Sequence, residues 1–142
     1  MAYVIKQKLQ LSDLVDLAEA PRKILLHVPE EALGELYAYH LRPHGFMVGS
    51  CADFLQLEKF LGLFLPDLLV LDLGEAGRAE EKIIWLRRAK RLWPDLRIVS
   101  LSRADDGDLV RRAMAVGVSG HLSRRFSRPQ DLAVLVRTLL HN

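Results

Sequence analysis

The chain's strongest constraint is a rhythm: short, unbroken apolar runs recur along it, separated by longer segments of helical period. The runs are "KILLHV" (23–28), "GFMVGS" (45–50), "DLLVLD" (67–72), "RIVSLS" (97–102) and "GHLSR" (120–124). Between them, Leu33, Leu36, Tyr37 and Leu41 share one helical face, and Phe54, Leu55, Leu57 and Phe60 follow Asp53, a natural N-cap. "EEKIIWLRRAKRLW" (80–93) is amphipathic and stops at Pro94; "DDGDLVRRAMAVG" (105–117) opens on acids and closes on glycine; "RPQDLAVLVRTLL" (128–140) supplies the last helix. Strand runs alternating with helices predict a parallel α/β sheet, and the third run lacks polar alternation, so it belongs at the centre, covered on both faces. Right-handed crossovers through five such units give the order 2-1-3-4-5, with ligands expected at the carboxyl ends of strands 1 and 3. Asp72 ends the third run, and Val28, Pro29, Ser102 and Arg124 fall at the same edge.

A chain of 142 residues, 50% hydrophobic and 27% charged, suits one globular domain. The repeat occupies residues 21–142. Residues 1–20 lie outside it as an N-terminal extension, in which "SDLVDLAEA" (12–20) has the pattern of a capped short helix and serves either as a packed appendage or as a dimerisation or docking arm. No apolar run reaches the roughly 18 residues that span a bilayer, and the start lacks a secretory pattern, so the expected location is cytoplasmic. Cys51 is alone, and His27, His40, His44, His121 and His141 lack zinc-site spacing. Residues 1–72 carry 6 Lys/Arg against 10 Asp/Glu, and residues 73–142 carry 14 against 8. That asymmetry fits solvated helix faces better than a nucleic-acid surface, because the basic runs at 87–91 and 123–128 lack interleaved aromatics.

Three strand ends carry a family resemblance. "PDLLVLDL", "IVSLS" and "AVGVSGHLSRRF" resemble the third, fourth and fifth strands of receiver domains of bacterial two-component response regulators over residues 22–141. The resemblance implies a flavodoxin-like (CheY-like) fold with helices on both faces. It also makes Asp72 the phosphoacceptor-like residue, with Ser102 and His121 at the switch positions. In that family two acids ending the first strand hold Mg²⁺ together with the acceptor aspartate; here Val28 and Pro29 stand in their places, and neither side chain is an oxygen ligand. Glu30 and Glu31 are adjacent substitutes in sequence but suit a helix start for dipole reasons alone. The family's lysine is replaced by Arg124 and the following proline by Arg125; Arg103 stands where a small residue leaves the phosphoryl group room, and His121 replaces an aromatic.

Phosphoryl transfer depends on positioning and on neutralising developing charge, and guanidinium groups do not orient a donor as a metal does. The reading that follows is a pseudo-receiver: Asp72 held by Arg124 or Arg103, no metal, no cofactor, not an enzyme. Its expected role is a protein–protein interaction module, binding a histidine kinase or another signalling protein with an acidic surface, or a second copy of itself. Arg111, Arg112, Arg125 and Arg128 form the expected partner surface. The alternative is a genuine phosphoacceptor using Mg²⁺ and Asp72, possibly as the regulatory part of a DNA-binding regulator. Nothing in the sequence resembles a helix-turn-helix, which argues against direct DNA binding by that route; Asp72-Leu73-Gly74 lacks the second aspartate of haloacid-dehalogenase-type phosphatases and no glycine-rich phosphate loop follows the first strand, which argues against an unrelated flavodoxin-like enzyme.

Overall fold

A computed structural model describes residues 20–141, apart from the Ala76 side chain; residues 1–19, all but the last of the N-terminal extension, lie outside the described residues. Five parallel strands order as β2-β1-β3-β4-β5: β1 is Lys23–His27, β2 Met47–Ser50, β3 Leu68–Asp72, β4 Arg97–Ser102 and β5 Gly120–Ser123. The intervening helices are α1 (Glu31–Leu41), α2 (Leu57–Phe64), α3 (Glu80–Leu92), α4 (Gly107–Val116) and α5 (Pro129–Leu140). The doubly wound arrangement expected from the sequence is therefore present.

Strand parity builds two cores. Ile24, Leu26, Leu68, Val70, Val99 and Leu101 face α1 and α5, where they meet Tyr37, Leu41, Leu132 and Val136. Leu25, Leu69, Leu71 and Ile98 face the other way, onto Leu57, Leu61, Ile83, Leu86 and Leu109 from α2, α3 and α4. All five residues of β3 are buried, as an unalternating central run requires.

Several boundaries differ from the sequence expectation for local reasons. β1 stops at His27; β2 starts only at Met47, after a 3₁₀ turn (Arg42–His44) that ends on Gly45 with φ 87°. Asp53 does cap, accepting from the Leu55 N–H at 3.0 Å, but the turn it caps is 3₁₀ (Phe54–Gln56) and precedes α2. Leu55 is consequently 82% exposed rather than part of the apolar face, and the buried residues of α2 are Leu57 and Leu61. Leu36 likewise turns outward, and Gly34, Tyr37, Ala38 and Leu41 make the contact face of α1. In α4 the N-cap is Asp106, whose Oδ1 accepts from the Asp108 and Leu109 N–H groups, and Gly117 closes the helix at φ 110°.

Candidate functional site

β3 delivers Asp72 to the carboxyl edge of the sheet, where it is 3% exposed. Its Oδ1 accepts the Gly74 N–H at 2.9 Å, and Gly74 itself takes a left-handed φ of 72° as the chain turns away. Its Oδ2 lies 3.5 Å from Arg124 Nη1, and the same nitrogen donates to Glu30 Oε1 at 3.2 Å. Arg124 follows β5 directly, and its main-chain N–H donates to the Ser102 carbonyl at 2.8 Å, which fixes where its side chain starts. The guanidinium is only 15% exposed and so bridges a buried acid and a surface acid at the start of α1.

Arg103 behaves differently from its expected role. Its guanidinium pairs with Glu75 at 2.8 Å, with both side chains more than half exposed, so it borders the pocket without reaching Asp72. A second cation beside Arg124 reaches the pocket, and sequence reasoning missed it: Lys82. Its Nζ donates to the Asp72 main-chain carbonyl at 2.6 Å and lies 5.5 Å from the Phe54 ring centre. Burial lowers the Lys82 pKa, against the opposing pull of Asp72. One signal was available: a lysine in the first turn of α3, after Glu80 and Glu81, sits at the helix end that disfavours cations. An open cavity of about 590 Å³ results, its wall including Pro29, Glu75, Arg78, Lys82, Arg103 and Arg124.

The residues present do not fit the divalent cation that receiver chemistry uses. Val28 is 3% exposed and packs into the α1–α5 core, and Pro29 lines the cavity without a donor atom in its side chain. Glu30 is turned onto Arg124. Among the described residues no three His, Cys, Asp or Glu side chains gather where they could hold a metal ion. Asp72 is thus a single carboxylate with ammonium and guanidinium neighbours, the reverse of an oxygen cage.

The two residues expected at switch positions, Ser102 and His121, are wired together. Ser102 Oγ donates to the Ala104 carbonyl at 2.7 Å, so its one proton is committed, and its 2.9 Å contact with His121 Nε2 must be an N–H donated to the hydroxyl. His121 Nδ1 then accepts from Ser100 Oγ at 2.6 Å. Burial lowers the His121 pKa, with the charge of Asp105 acting the other way. This bonding pattern suits a neutral ring, which burial favours, and protonation would force the buried Ser100 hydroxyl to turn away.

His27 is a half-satisfied core histidine: Nδ1 meets the Cys51 carbonyl at 2.8 Å, while Nε2 is buried without a partner among the described residues. Burial, and then the Lys82 charge, lower its pKa, which is consistent with a neutral ring against Phe54. The expected partner surface is less cationic than its sequence. Arg112 pairs with Glu80, Arg111 with Asp108 at 3.4 Å, and Arg128 with Asp131 at 3.5 Å in a capping box. Arg125 lies against the Phe126 ring, and Phe126 itself is 69% exposed.

No family model matches the sequence, and no curated protein does. Solved structures do. A response regulator from Thermotoga maritima superimposes with a TM-score of 0.77 at 20% identity, covering 86% of this chain and 99% of that one. HP1043, an orphan response regulator of H. pylori, gives 0.76 at 15% identity, covering 85% and 98%. The fold is that of a response-regulator receiver. A further receiver-fold neighbour, with a TM-score of 0.73 at 15% identity and covering 84% of this chain and 95% of that one, is an atypical orphan response regulator ascribed a phosphorylation-independent regulatory mechanism. At these identities the likeness establishes the receiver architecture, and the site itself has to carry any statement about chemistry. Among the described residues no helix is long and apolar enough to cross a membrane.

Proposed function

We propose that this receiver-fold chain is a pseudo-receiver: a non-enzymatic protein–protein interaction module of bacterial signal transduction, working in the cytoplasm without a metal or other cofactor. Asp72 is then a structural acid rather than an Mg²⁺-dependent phosphoacceptor. The observation that carries the reading is the Arg124–Asp72 pair, 3.5 Å apart and largely out of water. An arginine there neutralises the carboxylate and blocks one of its oxygens, whereas a phosphoryl group in flight needs an oriented donor and a cation bridging its oxygens. Lys82 adds a second fixed charge from below, so the pocket holds its own counter-ions. The Ser102 hydroxyl, committed to Ala104 and His121, has no free proton to offer a phosphoryl oxygen.

Output in this reading passes through the α4–β5–α5 face. Phe126 and Arg125 provide an apolar and cationic contact there, suited to an acidic protein surface on a histidine kinase or another signalling protein, to which Arg111, Arg112 and Arg128 add charge only by exchanging their present acidic partners. A homodimer through the same face is the other form such a contact takes. Complex formation with such a partner should weaken as salt is raised, and insensitivity to salt would remove the electrostatic part of this account.

The test of the site is intact mass after incubation with acetyl phosphate and Mg²⁺. The wild-type chain is expected to gain no phosphoryl group. Stoichiometric labelling that disappears in Asp72→Asn would overturn the proposal.

A further inference from the structure

The cavity beside Asp72 holds cations that the locked acid does not use. Of the four in its wall, two are spoken for: Arg124 is shared between Asp72 and Glu30, and Arg103 is paired with Glu75. Among the described residues, Arg78 has no carboxylate partner. Lys82 has none within ion-pair distance either, its hydrogen bond going to the Asp72 main-chain carbonyl at 2.6 Å. The backbone puts these two side by side. The 3₁₀ turn Ala76–Arg78 is closed by the Arg78 N–H on the Glu75 carbonyl at 2.9 Å and runs through Ala79 into α3, so positions 78 and 82 stand about one helical turn apart.

That arrangement is unfavourable as it stands. Like charges four residues apart on a helix repel, and both cations sit at the helix end whose free N–H groups already favour negative charge. The first-turn acids of α3 do not relieve them: Glu80 is drawn onto Arg112, and Glu81 makes no ion pair among the described residues. An anion seated between Arg78 and Lys82 removes the repulsion and gains the helix end as well. The Arg78 fork suits two oxygens of a phosphate, and the Lys82 ammonium, a point charge with donors still unused, suits another. Two unopposed positive charges match the roughly two negative charges that a phosphomonoester carries near neutral pH. At about 590 Å³ the cavity also has room for more than a bare phosphate, within the roughly 300–1,000 Å³ of small-molecule sites.

We infer that the outer part of this cavity, between Arg78 and Lys82, reversibly binds the phosphomonoester group of a small organic molecule. The phosphoryl group is held and not transferred, so no bond is made or broken. The inference rests on the pseudo-receiver reading, since a working phosphoacceptor would claim the same space for the group on Asp72. It gives the site a chemical input that leaves Asp72 unmodified.

The experiment titrates the full chain by isothermal calorimetry in magnesium-free buffer, with phenyl phosphate as the probe and succinate as its carboxylate counterpart. Arg78→Ala is the test variant, because an exposed side chain without a carboxylate partner is removed with the fold intact. Arg91→Ala, exposed in the last turn of α3 and likewise unpaired among the described residues, is the control for general surface charge. Phenyl phosphate should bind with a Kd at or below about 1 mM, about tenfold weaker in Arg78→Ala and unchanged in Arg91→Ala, with succinate at least about tenfold weaker than phenyl phosphate. No binding of phenyl phosphate overturns the inference. So does binding that Arg78→Ala leaves intact, an equal loss in both variants, or succinate binding as tightly. Intact mass after acetyl phosphate and Mg²⁺ is read on the same protein. Absent binding without a mass gain sinks this inference alone, whereas a mass gain on Asp72 sinks the pseudo-receiver reading and this inference with it.

Discussion

Arg124 and Arg103 stand at the same edge of the sheet, and both were expected beside Asp72; the structure gives them unlike fates. Arg124 leaves β5 with its main chain pinned to Ser102 and runs inward, so its guanidinium is largely buried against an acid that is more buried still. Arg103 leaves β4, its main-chain N–H donating to the Gly74 carbonyl at 2.9 Å, and its side chain runs outward to Glu75. The lesson is that a charge's worth follows its burial. Exposed pairs contribute roughly 0–1 kcal/mol, whereas removing one member of a buried pair strands the other at about 3–5 kcal/mol.

That contrast can be broken most forcefully at Arg124. Arg124→Met should destabilise the fold by about 2–3 kcal/mol in urea unfolding, somewhat under the fully buried figure because the guanidinium retains some solvent. A loss below about 0.5 kcal/mol would mean that the pair does not hold the site. Asp72→Asn should cost less, about 1–2 kcal/mol, since the amide oxygen can keep the Gly74 bond and Arg124 still has Glu30. If Asp72→Asn proved the more damaging change, the order of dependence between the two residues would be reversed.

Acid titration sharpens the picture on the other face of the sheet. His27 and His121 both have pKa values lowered by burial, so the unfolded chain binds protons more readily than the folded one. Their contribution is intact above the unfolded histidine value of about 6.5 and is lost as pH falls through it. Urea midpoints should therefore drop on acidification below that point, and His121→Phe should reduce the slope. A flat profile between neutrality and mild acid would contradict the neutral-ring assignment at both sites. Arg103→Ala is expected to do least, under about 0.5 kcal/mol, since it removes only an exposed pair.

Much of the frame was readable because burial on two faces leaves an unmistakable run: "DLLVLD" could only be a central strand, and Asp72 at its end followed. Local turn geometry was not readable. Asp53 announced a cap, but nothing near it distinguished a 3₁₀ turn from a helix, so the outward direction of Leu55 was not readable. That Val28 and Pro29 offer no side-chain oxygen was visible from residue type alone, whereas the expectation of metal ligands at those places came only from the family resemblance. The direction of Arg103 was not, because it depends on the loop that carries Glu75. Lys82 escaped notice because it sits in an amphipathic helix whose charged residues read as a solvated face, yet its ammonium is folded back onto the main chain of β3. The bridging of His121 between Ser100 and Ser102 needed the β4–β5 register, which pairs Ser100 with His121 and Ser102 with Ser123.

The most direct examination of the central idea is a crystal of this chain soaked in magnesium and beryllium fluoride. Arg124 should still contact the Asp72 carboxylate, with neither ion bound beside it. Density for both, with Arg124 displaced, would show a working phosphoacceptor site and contradict the account.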